Sequence, residues 1–258
     1  MRRPLVAANW KMNLNLPQAR KLVADVRDGL VARDERALRI EVAICPPAVY
    51  LFPMAKALEG SGIALGAQNV FYELEGAFTG ELAPGMLAET GVRYVLIGHS
   101  ERRHVLSPGE DDWTLNRKVH AALRVGLVPV LCVGETLDQR QADQTDDVLA
   151  FQVAAGLSGT RISGGGQLVI AYEPVWAIGT GQNATPEQAQ NAHARIRALL
   201  KQRLGAAGEE VRILYGGSLK PDNARVILAQ PDVDGGLVGG ASLKAESFLG
   251  ILAAAMEA

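Results

Sequence analysis

Eight short apolar runs, each continuous rather than alternating, constrain this chain more than any other feature. They are Leu5–Ala8, Ile40–Cys45, Ile63–Ala67, Tyr94–Ile97, Val128–Val133, Leu168–Tyr172, Arg212–Tyr215, and Leu237–Val238 with the residues just before them. A strand wet on one face alternates apolar and polar residues. A continuous run suits a strand covered on both faces, as in a parallel sheet. Helical patterns lie between the runs. Leu16–Leu30 places Leu22, Val23, Val26 and Leu30 on one face, and Thr114–Val125 and Pro186–Leu204 read the same way. Thr185-Pro186-Glu187 combines a capping hydroxyl, a proline at the first helical position and an acid in the first turn. Pro221 and Asp222 predict the start of another helix, and Ser242 the start of the last.

Strand and helix thus alternate from end to end, which implies an α/β fold with a parallel sheet and right-handed crossovers. Eight strands in 258 residues favour a closed (β/α)8 barrel, one domain over 1–258, above a doubly wound open sheet. Periodicity alone does not distinguish closure. Ser163-Gly164-Gly165-Gly166 reads as a turn before the sixth run, not as a domain boundary.

Composition excludes several functions. Hydrophobic residues make up 48% and charged residues 21%, which is ordinary for a globular protein, and the net charge is −2. With no Lys/Arg stripe there is no nucleic-acid footprint, although a local positive spot suffices for a small anionic substrate. Cys45 and Cys132 lie inside apolar runs, with no disulfide or zinc spacing, and read as buried thiols. The basic start Met1-Arg2-Arg3-Pro4 leads into an apolar stretch too short for a signal peptide. No apolar run is long enough to span a bilayer. The expected location is the cytoplasm, with no membrane partner.

In a parallel α/β architecture, active sites gather outside the carboxyl ends of the strands. Those ends are polar here: Asn9-Trp10-Lys11, Gly98-His99-Ser100-Glu101, Glu173, Gly216-Gly217-Ser218 and Gly239-Gly240. Each has a structural reading as a solvated lysine, a hydrogen-bonded histidine, a capping acid or a tight turn. Together they form a chemical kit. A carboxylate and an imidazole can share proton transfers around an enediol. A lysine can stabilise an oxyanion and attract an anion. Glycine loops expose N–H groups to phosphate. The kit suggests proton abstraction beside the carbonyl of a phosphorylated substrate. Metal hydrolysis is disfavoured, since neither a His-x-x-x-His pair nor a carboxylate cluster occurs. Gly179-Thr-Gly-Gln-Asn-Ala184 fits a loose dinucleotide fingerprint but starts past the strand end and lacks the distal acid. Gly98-His99-Ser100 lacks the closing glycine of a nucleophile elbow, with Arg102 in its place.

The segments "AANWKMN" (7–13), "GAQNV" (66–70), "GAFTGE" (76–81), "VLIGHSERR" (95–103), "CVGET" (132–136), "AYEPVWAIGTG" (171–181), "YGGS" (215–218) and "VGGASL" (238–243) resemble the triosephosphate isomerase family, in order and over essentially the whole chain. The resemblance implies a TIM barrel that interconverts dihydroxyacetone phosphate and D-glyceraldehyde 3-phosphate, in glycolysis and gluconeogenesis, with no cofactor and no metal. Glu173 matches the base that moves the proton between carbons. His99 matches the electrophile that polarises the carbonyl, kept neutral beside a helix start. Lys11 matches the cation facing the enediolate, Asn9 a nearby polar contact, and Glu101 an acid close to His99. Gly179, Ser218, Gly239 and Gly240 match backbone donors to the phosphate.

The same resemblance makes residues 173–181 a lid. Pro174 restricts the backbone beside the base, Gly179 and Gly181 free the far end, and Val175, Trp176 and Ile178 give apolar cover that excludes water. Gln68–Pro84 is expected to reach into a second subunit, with Thr79 near the partner's site, so a homodimer is expected. Two stretches depart from the family pattern: Gly236, expected to loosen the last turn, and Ser107–Thr114 with its Trp113. The competing readings are another phosphate-binding barrel, such as an aldolase with a Schiff-base lysine, and an inactive barrel kept as a binding protein.

Overall fold

A computed structural model of the chain describes residues 2–32, 39–178 and 183–258. Its strands are β1 (Leu5–Asn9), β2 (Glu41–Cys45), β3 (Ala64–Ala67), β4 (Val92–Ile97), β5 (Val128–Val133), β6 (Val169–Tyr172), β7 (Arg212–Tyr215) and β8 (Gly235–Val238). Every neighbouring pair is parallel, and the order β1 to β8 closes into a barrel. Closure is made by β8 against β1, with Leu5 opposite Gly235 and Ala8 opposite Val238. The open-sheet alternative is thereby removed.

Helices fill the crossovers. They are α1 (Leu16–Val31), α2 (Leu51–Leu58), α3 (Pro84–Glu89), α4 (Asp112–Arg124), α5 (Leu137–Gln141), α6 (Thr145–Gly156), α7 (Pro186–Leu204), α8 (Ala206–Glu210), α9 (Pro221–Leu228) and α10 (Ala245–Glu257). Thr185 caps α7 as its sequence predicts: its hydroxyl accepts from the Gln188 N–H at 3.1 Å, while the Gln188 side chain accepts from the Thr185 N–H at 2.9 Å. The helix expected at Ser242 starts instead at Ala245, because the Ser242 hydroxyl donates to the Gly239 carbonyl at 2.6 Å inside a 3-10 turn, Gly240–Leu243.

The apolar runs are continuous because each strand buries two faces. Leu5, Ala7, Ala43, Cys45, Tyr94 and Leu96 belong to the core inside the barrel. Their neighbours Val6, Ala8, Val42, Ile44, Val95 and Ile97 belong to the core under the helices. Both cysteines are buried and unbridged, and burial pushes the Cys45 thiol up to about 12 and the Cys132 thiol well above its ordinary range. Gly236 sits inside β8 rather than in a turn, and the Leu219 side chain takes the space its side chain would occupy: a Cβ there would come within 2.6 Å of Leu219 Cδ2. Trp113, in the first turn of α4, is 71% exposed; nothing in the structure explains its size.

Charge is buried at the amino ends of the strands. Arg212 donates to Glu41 at 2.6 Å and to the Tyr94 hydroxyl at 2.8 Å, and Tyr94 donates to Glu41 at 2.7 Å. Arg2 and the Ile213 N–H both donate to Asp234, at 2.6 and 2.9 Å. His193, fully buried on α7, packs edge-on to Tyr172 with ring centroids 5.7 Å apart. Its Nδ1 lies 3.1 Å from the Asp232 carbonyl. Burial lowers its pKa to about 4, against a smaller opposing push from that carbonyl.

The His193 value sets a pH dependence. Between about pH 6.5 and 4 the unfolded chain binds the imidazole proton and the folded chain refuses it, so stability falls as pH falls through that window. A shift of this size corresponds to about 3 kcal/mol when fully developed. Denaturant unfolding of wild type and His193→Gln at pH 7 and pH 4.5 is expected to show the wild type losing more stability than the variant. Equal losses would refute the assignment.

Candidate active site

Closure brings the carboxyl ends of all eight strands to one rim. There a cavity of about 740 Å³ opens, and Asn9, Lys11, His99, Glu173, Ser218, Gly239 and Gly240 all line it. These residues come from β1, β4, β6, β7 and β8, or directly follow those strands. Glu101 does not line the cavity but touches two residues that do. Gly179 and Gly181 lie outside the described residues.

Glu173 follows β6 and is only 2% exposed. Its Oε2 accepts from the Ser100 N–H at 2.7 Å. Its Oε1 lies 3.1 Å from His99 Nε2 but has no aligned donor among the described residues. A buried carboxylate oxygen without a donor keeps a lone pair free for a proton. Two glycines make room for this carboxylate. A Cβ on Gly134 would fall 1.8 Å from the Glu173 carbonyl oxygen, and one on Gly216 would fall 2.8 Å from Glu173 Cγ.

His99 is also buried, and its Nδ1 accepts from the Glu101 N–H at 3.3 Å. Glu101 opens a single π-helical turn, Glu101–Val105. An accepting Nδ1 fixes the neutral tautomer with hydrogen on Nε2, the nitrogen nearest Glu173.

Lys11 stands in a left-handed backbone conformation at φ 50°, uncommon for a side chain of its kind. Its N–H donates to Asn9 Oδ1 at 3.0 Å, and its carbonyl accepts from Gln68 Nε2 at 2.8 Å. These two bonds hold the strained turn, and such strain concentrates at functional sites. The ammonium reaches Glu101 Oε1 at 2.7 Å. Glu101 Oε2 also lies 3.5 Å from His99 Nδ1, so one acid stands between the cation and the imidazole.

The first part of the expected lid is anchored. Val175–Ala177 forms a 3-10 turn. The Trp176 indole donates to Glu135 at 2.8 Å, with the Arg140 guanidinium 4.6 Å from its ring centroid. Glu135 is fully buried and also accepts from the Tyr172 hydroxyl at 3.1 Å. Burial and the Glu135 carboxylate push the Tyr172 phenol well above its usual range, so it stays a donor. The Ser218 hydroxyl donates to the Ala177 carbonyl at 3.0 Å. Among the described residues no group of His, Cys, Asp and Glu is placed to hold a metal ion.

The family model for triosephosphate isomerase matches residues 4–255. A triosephosphate isomerase from Carboxydothermus hydrogenoformans is 50% identical, covering 98% of each chain. One from Herminiimonas arsenicoxydans is 51% identical over 99% of this chain and 100% of its own. The crystal structure of the Bartonella henselae triosephosphate isomerase superposes with a TM-score of 0.87 at 39% identity, over 98% of both chains. The chain belongs to the triosephosphate isomerase family. With the family comes its reaction, the cofactor-independent interconversion of dihydroxyacetone phosphate and D-glyceraldehyde 3-phosphate by proton transfer through an enediolate.

Sequence reasoning missed Gly134, Glu135, Ser100 and Gln68 as parts of a triosephosphate isomerase site. Each sits in or beside a segment carrying the resemblance, but none bears a reactive group in an obvious place. Their work is to give room, a donor or an anchor to a residue that does.

The Gly134 contact generates a test. Gly134→Ala must push the Glu173 backbone aside, and a displacement near 1 Å costs on the order of 100-fold in turnover. Gly164→Ala, whose added methyl meets nothing within 4 Å, is expected to leave kcat/KM unchanged. A Gly134→Ala enzyme as active as wild type would contradict the account of how Glu173 is placed.

Proposed function

We propose that Glu173 is the base of this isomerase, and the observation that carries the reading is its buried Oε1 without an aligned donor, 3.1 Å from His99 Nε2. The carboxylate takes a proton from one triose carbon, and the C–H electron pair moves into the neighbouring carbonyl to give an enediolate. The proton returns to the other carbon. Nε2–H of His99 donates to the carbonyl oxygen, and the neutral ring passes a proton between the two oxygens. The Lys11 ammonium sits beside the growing negative charge and leaves its Glu101 pairing to do so. Asn9 and Gln68 hold the lysine backbone in position. Glu101 keeps the lysine and the imidazole in register.

The phosphate lies against the N–H groups of Ser218, Gly239 and Gly240, with Gly179 as a further donor. Gly239 suits this, because a Cβ there would already stand 3.3 Å from Lys11 Cε. Closure of residues 173–181 covers the enediolate. The chain acts as one domain over 1–258.

A homodimer fits the surface. The loops after β1, β2 and β3 expose large apolar side chains: Met12 is 94% exposed, Val49 79% and Phe78 41%. They precede or surround Thr79, the residue expected to enter the partner. A cytoplasmic location fits a glycolytic role and the absence, among the described residues, of any helix long and apolar enough to cross a membrane.

In a coupled assay starting from D-glyceraldehyde 3-phosphate, Glu173→Gln is expected to lose roughly 10²–10⁴ in kcat with a small change in KM. Turnover near wild type would dismiss Glu173 as the base. Sedimentation is expected to give a dimer for wild type and a shift to monomer for Met12→Glu, a change that costs an isolated subunit little at such exposure. A wild type that sediments as a monomer at micromolar concentration would end the dimer reading.

A further inference from the structure

The cavity continues past the phosphate loops. Two residues after Ser218 and four after Gly240, it runs between the starts of α9 and α10, where Lys220, Asp222, Lys244 and Ser247 form its outer wall. Lys220 and Lys244 are exposed and make no ion pair among the described residues. Most other lysines are matched: Lys11 with Glu101, Lys21 with Asp25, Lys118 with Glu110 and Lys201 with Glu209. Asp222 is the acid of this wall, and Glu246 is the exposed acid next along α10. The wall itself therefore carries two positive charges against one negative.

Size points the same way. Cavities of roughly 300–1,000 Å³ enclose drug-sized ligands. This one, at about 740 Å³, is far larger than a triose phosphate needs. Lys220 and Lys244, both without an ion pair among the described residues, are part of its lining. A lysine on a flexible stem reaches a phosphate as a point charge, without the fixed geometry an arginine fork demands.

We infer that the outer wall is a second anion subsite, so that the cavity takes small molecules carrying two phosphate groups. One phosphate rests on the Ser218, Gly239 and Gly240 loops. The other lies between the Lys220 and Lys244 ammonium groups, with the Ser247 hydroxyl as a further donor. The inference rests on the assignment of those loops as the phosphate end of the substrate. Bisphosphates bound this way occupy the substrate's own place, so they act as competitive inhibitors.

The probes are propane-, butane- and pentanediol bisphosphates, each against the matching alkanol monophosphate, as inhibitors of the intact enzyme at fixed ionic strength. For at least one spacer, wild type is expected to bind the bisphosphate about ten-fold more tightly than its monophosphate, the scale of one charge-assisted bond. Lys220→Gln/Lys244→Gln is expected to bring that ratio near one while leaving the KM for the triose phosphate within about two-fold. Lys21→Gln/Lys56→Gln, which removes the same charge far from the cavity, keeps the preference. No preference in wild type overturns the subsite. So does a preference that survives in the Lys220/Lys244 variant, or one lost equally in the control variant. If neither phosphate series competes with substrate, the inner phosphate assignment has failed and the outer subsite falls with it.

Discussion

The pairing of β8 back onto β1 is the constraint on which the rest of this structure depends. A parallel sheet points every carboxyl end the same way, and closure turns that edge into a ring. Lys11, His99, Glu173 and Gly239 are far apart in the chain and follow different strands. Only the ring makes them neighbours across a cavity. The closing strand has little bulk. Gly235 stands at φ 133°, with its Cα so near β1 that a Cβ would fall 1.9 Å from the Leu5 carbonyl oxygen. Closure and close approach are therefore one requirement.

Within the ring, placement depends on absent side chains and backbone donors as much as on reactive groups. Glu173 is walled by Gly134 and Gly216 and held by the Ser100 N–H. One carboxylate oxygen is fixed and the other has no aligned donor among the described residues. His99 is held through Nδ1 by a backbone N–H, which leaves Nε2–H to face the cavity. Lys11 is held through its backbone by Asn9 and Gln68, while its ammonium pairs with the partly exposed Glu101. In all three cases the anchor grips the part to which the proposed mechanism gives no chemistry. Such preorganisation means that little must be rearranged as charge develops.

Much of this was legible in the sequence. All eight apolar runs became strands because burial on two faces leaves a period-free signature. The start of α7 was legible because a capping box is a local interaction. Closure was less legible, since pairing between the first and last strands leaves no trace in periodicity. The start of α10 was misplaced because Ser242 looks like a cap, but its hydroxyl turns back to the Gly239 carbonyl. The polar residues that line the cavity were readable by type at the strand ends. Glu135 was not, since an acid after an apolar run has many uses. Its partners Tyr172 and Trp176, distant in the chain, are brought to it only by the fold.

The two ends of the barrel treat charge in opposite ways, and the difference separates stability from function. At the amino ends Arg212 pairs with Glu41 and Tyr94, and Arg197 pairs with Asp234, all of them buried. Breaking such a set by removing one partner strands a buried charge, which costs about 3–5 kcal/mol. At the carboxyl ends Glu173 keeps an oxygen without an aligned donor, Lys11 is held by a partly exposed acid, and Lys220 and Lys244 are unmatched. The buried Glu173 oxygen without an aligned donor costs stability, and the rim can carry it because the ion-paired floor and the two apolar cores hold the fold.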